Sequence, residues 1–255
     1  MVIEHEAGDL TCTVEASTPL AELQSQVGAD GQMLALDPPG QAALTVGEVF
    51  DRALFGPRAH RYGLPRDLVL GVRVRLAGGN LIRGGGKVVK NVAGYDLPKL
   101  FTGAEGRLGE LLELTLRLHP LPDSTCTVVT EPCDPRPLEQ LAPACVEYAW
   151  PDGGMLVRFE SPAAAGLAAA ARELVGGELV ADDAELWDAH RRRQAGLELH
   201  RCPPTDAASH CERLRAAGAT TIVGRWARGW LFADVPADRR PLSPLEQRVI
   251  ERFAS

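Results

Sequence analysis

The stretch Gly84-Gly85-Gly86-Lys87-Val88-Val89-Lys90-Asn91-Val92-Ala93-Gly94-Tyr95-Asp96-Leu97-Pro98-Lys99-Leu100 decides how the rest of the sequence is read. Its glycines permit positive φ and close approach of backbone to a ligand. N–H groups exposed in this way can hold phosphate or ring carbonyl oxygens. Plain turns between short strands account for the same glycines, and from the residues alone both readings stand. Two common nucleotide motifs are excluded: no Gly-Lys-Ser/Thr closes a P-loop, and three adjacent glycines do not make the G-x-G-x-x-G of a Rossmann turn. A second series, Gly103, Gly106 and Gly109, follows at once. Of the 27 basic residues only Lys87, Lys90 and Lys99 are lysines, all inside this stretch. The arginine bias of a GC-rich genome explains the rest of the chain but gives no reason for lysine here.

Working outward, residues 10 to 16 alternate with period two and read as a strand. Ser17-Thr18-Pro19 then caps a short helix whose Leu20, Leu23 and Val27 share one face. Pro38-Pro39 marks a turn, because neither proline can donate to a sheet ladder, and a helix is expected from Thr45. Leu68, Leu70, Val72 and Val74 alternate again, Gly78-Gly79 turns the chain, and Asn80 to Arg83 begin a return strand. Leu111 to Leu118 form a further strand, stopped by Pro120 and Pro122. The prolines at 132, 135 and 137 suggest a linker over 123–137 between two domains, 1–122 and 138–255. In the second half, strand pairs alternate with helices: strands at 146–148, 155–159, 179–180 and 197–200, a hairpin over 220–235, helices over 183–195, 206–217 and 244–253, and an alanine-rich helix after Ser161-Pro162. That pattern predicts helices on one face of an antiparallel sheet, an α+β layer of ferredoxin-like type.

Composition sets the outer limits. With 255 residues, 45% hydrophobic and 24% charged, the chain has ordinary globular usage. A net charge of -7 favours neither nucleic acid nor an anionic membrane surface. Six scattered cysteines show no C-x-x-C pair and no zinc-ligand spacing, so no metal is expected and the thiols read as reduced. The amino terminus carries no signal-peptide pattern and no apolar run approaches a membrane span, which points to the cytoplasm. His60, His119, His190 and His200 share no spacing and read as structural. Arg191-Arg192-Arg193 reads as a solvated, dipole-matched helix end rather than a phosphate site.

The run Lys87 to Leu97, followed by Lys99-Leu100, Gly103, Glu105-Gly106, Leu108-Gly109 and Leu114-Thr115-Leu116-Arg117-Leu118, closely resembles the FAD-binding domain of the vanillyl-alcohol oxidase (PCMH-type) family. Upstream, Asp37-Pro38-Pro39, Thr45-Val46-Gly47, Gly56-Pro57-Arg58 and Arg61 to Gly71 match the same pattern in order. The likeness covers about residues 10 to 122, and within the family it is greatest to the small subunits of bacterial glycolate oxidases. It answers the lysine question in part, since the motif specifies those three. The resemblance implies a PCMH-type FAD-binding subdomain followed by a smaller cap. It implies that Pro39, Thr45, Val46, Gly47, Lys90, Asn91, Gly94, Tyr95, Asp96, Glu105, Gly106 and Gly109 line the isoalloxazine, ribityl and adenine portions of FAD. Small residues leave room for a planar ring, and Asn91 and Asp96 offer polar groups to its edge.

Three departures qualify this. Nothing before Thr11 supplies the glycine-rich pyrophosphate loop with which family members begin. Glu48 stands where a second glycine is usual, and Ala53 where asparagine is common. A buried carboxylate at Glu48 would repel the pyrophosphate, so incomplete or weak FAD binding is expected. No base and cation pair for a 2-hydroxy acid can be assembled, and catalytic residues stay unassigned. The expected role is an FAD-binding subunit of a glycolate oxidase complex, cytoplasmic or peripheral to the inner membrane through its partners. Those partners are a larger flavin subunit and an iron–sulfur subunit, and the substrate is a small 2-hydroxy acid. The alternatives are a non-catalytic scaffold with a degenerate flavin site and a self-sufficient FAD oxidoreductase whose sequence starts further upstream.

Overall fold

The computed structural model of the chain describes residues 1–86, 96–151, 153–238 and 242–254. The chain divides into two units. The first comprises residues 1–55, 63–121 and 240–255, the second residues 56–62 and 122–239.

The first unit contains β1 Val2–Glu6, β2 Thr11–Glu15, β3 Gln32–Met33, β4 Val69–Arg75, β5 Leu81–Gly85, β6 Glu110–Arg117 and β7 His119–Pro120. Among the described residues, five of these form one antiparallel sheet in the order β1-β2-β6-β4-β5, and β3 pairs with β7. Alternation sorts the sheet into two faces. Cys12, Val14, Val72, Val74, Leu114 and Leu116 are buried with Leu20, Leu23 and Val27 of the helix Leu20–Gly28 and with Val49 and Phe50 of the helix Val46–Asp51. On the other face, the Thr13 and Thr115 hydroxyls lie 3.0 Å apart, and Arg73 donates to Glu113 at 2.6 Å across registered strands. The terminal helix Pro244–Ala254 brings Val249, Ile250 and Phe253 to the same core, with the Phe253 ring edge-on to Phe101 at 5.7 Å.

The second unit contains β8 Thr125–Thr130, β9 Cys145–Trp150, β10 Gly154–Glu160, β11 Glu178–Val180, β12 Glu198–Arg201, β13 Ile222–Arg225 and β14 Trp230–Ala233. Among the described residues these make one antiparallel sheet in the order β11-β8-β10-β9-β13-β14-β12, wider than a four-stranded ferredoxin-like motif. The helices Ala164–Val175, Ala184–Gln194 and Ala207–Ala216 fall close to their expected bounds. Residues 123–137, expected as a linker, instead hold β8, which pairs with both β10 and β11. The proline cluster that suggested a linker begins only after β8 ends, and Cys126 and Val128 are core residues.

Buried charge holds this sheet to its helices. Arg158 on β10 donates from Nε and Nη2 to Asp183 at 3.0 and 2.8 Å, and Thr125 and Thr127 on β8 donate to the same carboxylate at 3.1 and 2.7 Å. Trp187 Nε1 donates to Thr127 at 2.8 Å. His190 pairs with the fully buried Glu147 at 3.0 Å. Buried carboxylates need partners of this kind, because a lone charge out of water is costly.

Candidate functional site

An open groove of about 870 Å³ runs along the first unit. Its lining includes Ser17, Thr45, Gly47, Glu48, Gly106 and Gly109. Four residues expected at the cofactor from two separate stretches of sequence therefore share one surface.

The helix Val46–Asp51 builds one wall. Thr45 is its N-cap: the Glu48 N–H donates to Thr45 Oγ1 at 3.2 Å, while Glu48 Oε2 accepts from the Thr45 N–H at 2.7 Å and its hydroxyl at 2.9 Å. This reciprocal capping box satisfies two helix-terminal donors. It corrects the expectation for Glu48, whose carboxylate is exposed and turned back on Thr45 rather than buried against a ligand. The bond from the Thr45 backbone holds Glu48 below the usual carboxylate range. Val46 is fully buried, with its N–H bonded to Thr18 O. Gly47 approaches β2 so closely that a Cβ would lie 2.8 Å from the Ala16 carbonyl oxygen, so glycine is required there by the protein's own packing.

The opposite wall is a turn in which Glu105 has φ of 52° and Gly106 of 71°. The Glu105 N–H donates to the Asp51 carbonyl at 3.0 Å and the Gly106 N–H to the Asp51 carboxylate at 2.8 Å. Nothing lies within 4 Å of where a Gly106 side chain would begin, so the groove is open at that point. Leu76, Ala77, Leu108 and Leu111 supply apolar surface, and Arg75, Arg107, Glu48, Asp51 and Glu110 add charge, Arg75 pairing with Glu110 at 3.2 Å. Sequence reading missed Asp51, the residue that joins the two walls. Its partner Gly106 is 55 positions away and no local pattern marks the pair.

Asp96 and Pro39 are placed but do not line this groove. Asp96 is exposed and caps the helix Leu97–Phe101, accepting from the Lys99 N–H at 3.3 Å and pairing with Lys99 Nζ at 2.9 Å. The Lys99 side chain holds its carboxyl below the usual range. Pro39 is half-buried in the turn after Leu36. Lys90, Asn91, Gly94 and Tyr95 lie outside the described residues. The glycines that open the motif serve the fold: a Cβ on Gly85 would sit 2.0 Å from the Leu70 carbonyl oxygen, and φ there is 76°.

Residues 1–85 match the family model described as an FAD binding domain. The chain is 33% identical over 201 residues to glycolate oxidase subunit GlcE of Escherichia coli, an alignment covering 76% of this chain and 56% of that protein. It is 37% identical over 128 residues to glycolate oxidase subunit GlcD of Bacillus subtilis, covering 50% of this chain and 27% of that one. The chain thus spans about half the length of the first relative and about a quarter of the second. A solved structure of an alkyldihydroxyacetonephosphate synthase superposes with a TM-score of 0.63 at 13% identity, covering 99% of this chain and 60% of that one, which is a likeness of fold. Residues 1–85 thus carry the sequence pattern of an FAD binding domain. Within that class its sequence relatives include subunits of glycolate oxidase.

The described groove fits the uncharged parts of FAD. Apolar side chains, the Ser17 hydroxyl and an open edge at Gly106 suit a planar ring or adenosine. It does not suit the pyrophosphate. Three carboxylates line it against two guanidiniums, and the Thr45, Val46, Gly47, Glu48, Glu105 and Gly106 N–H groups all donate within the protein.

Proposed function

We propose that this chain is the FAD-binding subunit of a glycolate oxidase that works with a larger flavin subunit and an iron–sulfur subunit. In the assembled complex, FAD supplies the two-electron oxidation of a small 2-hydroxy acid, glycolate to glyoxylate. The observation that carries the reading is the 201-residue match to a glycolate oxidase subunit, long enough to include sequence from both units rather than the flavin domain alone.

The groove residues bind and orient in this reading. Ser17 offers a hydroxyl to the cofactor's polar edge, the leucines exclude water from its face, and Asp51 holds the Glu105–Gly106 turn in place. The base that takes a proton from the hydroxy acid is assigned, in this reading, to the larger subunit. No helix among the described residues is long and apolar enough to cross a membrane, and the proposed location is the cytoplasm, or the inner membrane's surface through the partners.

Co-expression of this chain with the two proposed subunits tests the reading. The expected result is a co-purifying complex with an oxidised-flavin band and glycolate-dependent dye reduction that disappears when this chain is omitted. A pair of partner subunits that assembles and turns over at full rate without it overturns the proposal.

A further inference from the structure

Residues Gly56–Tyr62 lie in sequence between two helices of the first unit, Val46–Asp51 and Pro65–Leu68, yet they belong to the second unit. Seven residues are held there by an unusual density of charged bonds. Arg58 donates from Nε and Nη2 to Glu160 Oε1, both at 3.1 Å, and the Tyr62 hydroxyl donates to Glu160 Oε2 at 3.1 Å. Arg61 donates to the Glu160 carbonyl at 3.2 Å. From the other side, Arg225 Nε donates to the Gly56 carbonyl at 2.9 Å and Arg228 donates to the His60 carbonyl. Nε2 of the buried His60 faces Glu139 at 3.6 Å.

Glu160 is the centre of this set, and its side chain is fully buried. Its other cationic neighbour is Arg158, at 3.1 Å, which already forms a two-bond pair with Asp183. Around this point the interior therefore sets two carboxylates, Glu160 and Asp183, against Arg158 and Arg58, apart from the separate buried cluster of Glu147, His190 and Arg225. Only when Arg58 is seated do the charges of this quartet balance, and an unbalanced buried carboxylate is strongly disfavoured. One of this quartet's two positive charges is thus carried on a stretch of chain anchored at both ends in the first unit.

We propose that residues 56–62 are a latch: seating Arg58 and Tyr62 on Glu160 completes the interior of the second unit, so that unit folds only together with a segment tethered at Phe55 and Gly63. The latch begins at Gly56, shortly after the groove helix Val46–Asp51 ends. The inference rests on the buried bonds alone and holds whatever the groove binds.

Trypsin reads the latch directly, because Arg58 and Arg61 are each followed by a cleavable bond. Arg107, exposed in a loop and followed by Leu108, serves as the reference site in the same protein. Cleavage is followed by mass spectrometry of the intact, full-length chain. In the wild type, cutting after Arg58 and Arg61 is expected to be at least tenfold slower than after Arg107. Tyr62→Phe, which removes one bond and keeps the ring, raises it several-fold, and Glu160→Gln raises it to the reference rate. Should Glu160→Gln fail to fold, the pair Arg58→Met with Glu160→Met, which removes both charges together, is expected to fold better than either single change. Equal cutting at the three sites in the wild type overturns the latch. So does a folded Glu160→Gln protein with unchanged protection, or a double variant no better than the worse single.

Discussion

Acid should destabilise this protein through His60 before it titrates the ordinary surface carboxylates. The ring is 3% exposed, and burial, reinforced by the nearby Arg228 and Arg225 guanidiniums, pushes the imidazole down to about 4 against the opposing pull of Glu147. Glu139, at 3.6 Å, is itself 47% exposed and too well solvated to reverse this. The folded pKa lies below the unfolded value of about 6.5, so the unfolded chain takes up the proton first as pH falls. The contribution is fully present above pH 6.5, shrinks from there, and is gone below about 4. One proton over that interval, at about 1.4 kcal/mol per pH unit, is roughly 3 kcal/mol, of which about 2.5 kcal/mol is lost by pH 4.5. The assay is denaturant unfolding of wild type and His60→Gln at steps between pH 7.5 and 4.5. Carboxylates common to both proteins cancel in the difference, so the wild-type advantage should narrow by about 2.5 kcal/mol across the series. Parallel stability curves, or an NMR titration placing this imidazole at 6.5 or above, would refute the reasoning.

Other perturbations have equally definite outcomes. Ala53 holds φ of 49° without the side-chain bonding that lets asparagine tolerate that region, so Ala53→Gly should raise the unfolding midpoint by about 0.5–1 kcal/mol of stability. Thr45→Ala opens the capping box and should cost about 1 kcal/mol in the same measurement, with little change in the fold by circular dichroism. Gly85→Ala forces a methyl against the Leu70 carbonyl oxygen at positive φ and should cost upward of about 3 kcal/mol, seen as loss of soluble protein. Burial pushes the Cys12 thiol up to about 12, so iodoacetamide at pH 8 should leave it unlabelled until the protein is denatured.

Periodicity made much of the fold legible. The alternation of residues 10–16 became β2, the Leu20, Leu23 and Val27 stripe became a buried helix face, and Gly78-Gly79 did join β4 to β5. The first strand, Val2–Glu6, escaped notice because its half-buried pattern lacks alternation. Strand β8 was hidden by the prolines that follow it. At the site, Thr45, Gly47, Gly106 and Gly109, which the resemblance singles out, line one groove, while Glu48 and Asp96 bond to helix-terminal N–H groups. A carboxylate three residues from a backbone N–H finds that bond first, a local effect that motif matching does not weigh. The latch was illegible for the opposite reason, since Arg58 and Glu160 stand 102 positions apart and neither lies in a pattern that names the other.

The terminal helix gives the two units an order of completion during synthesis. Val249, Ile250 and Phe253 are part of the first unit's core, so the unit whose sequence leaves the ribosome first stays unfinished until the last residues described here emerge. The second unit draws on residues 56–62 and 122–239 and takes no part of its sequence from the terminal helix. For the duration of translation of the intervening residues, the edge of the flavin-domain core that Phe101 shares with Phe253 is bare, a time window in which a chaperone or a partner subunit has apolar surface to hold.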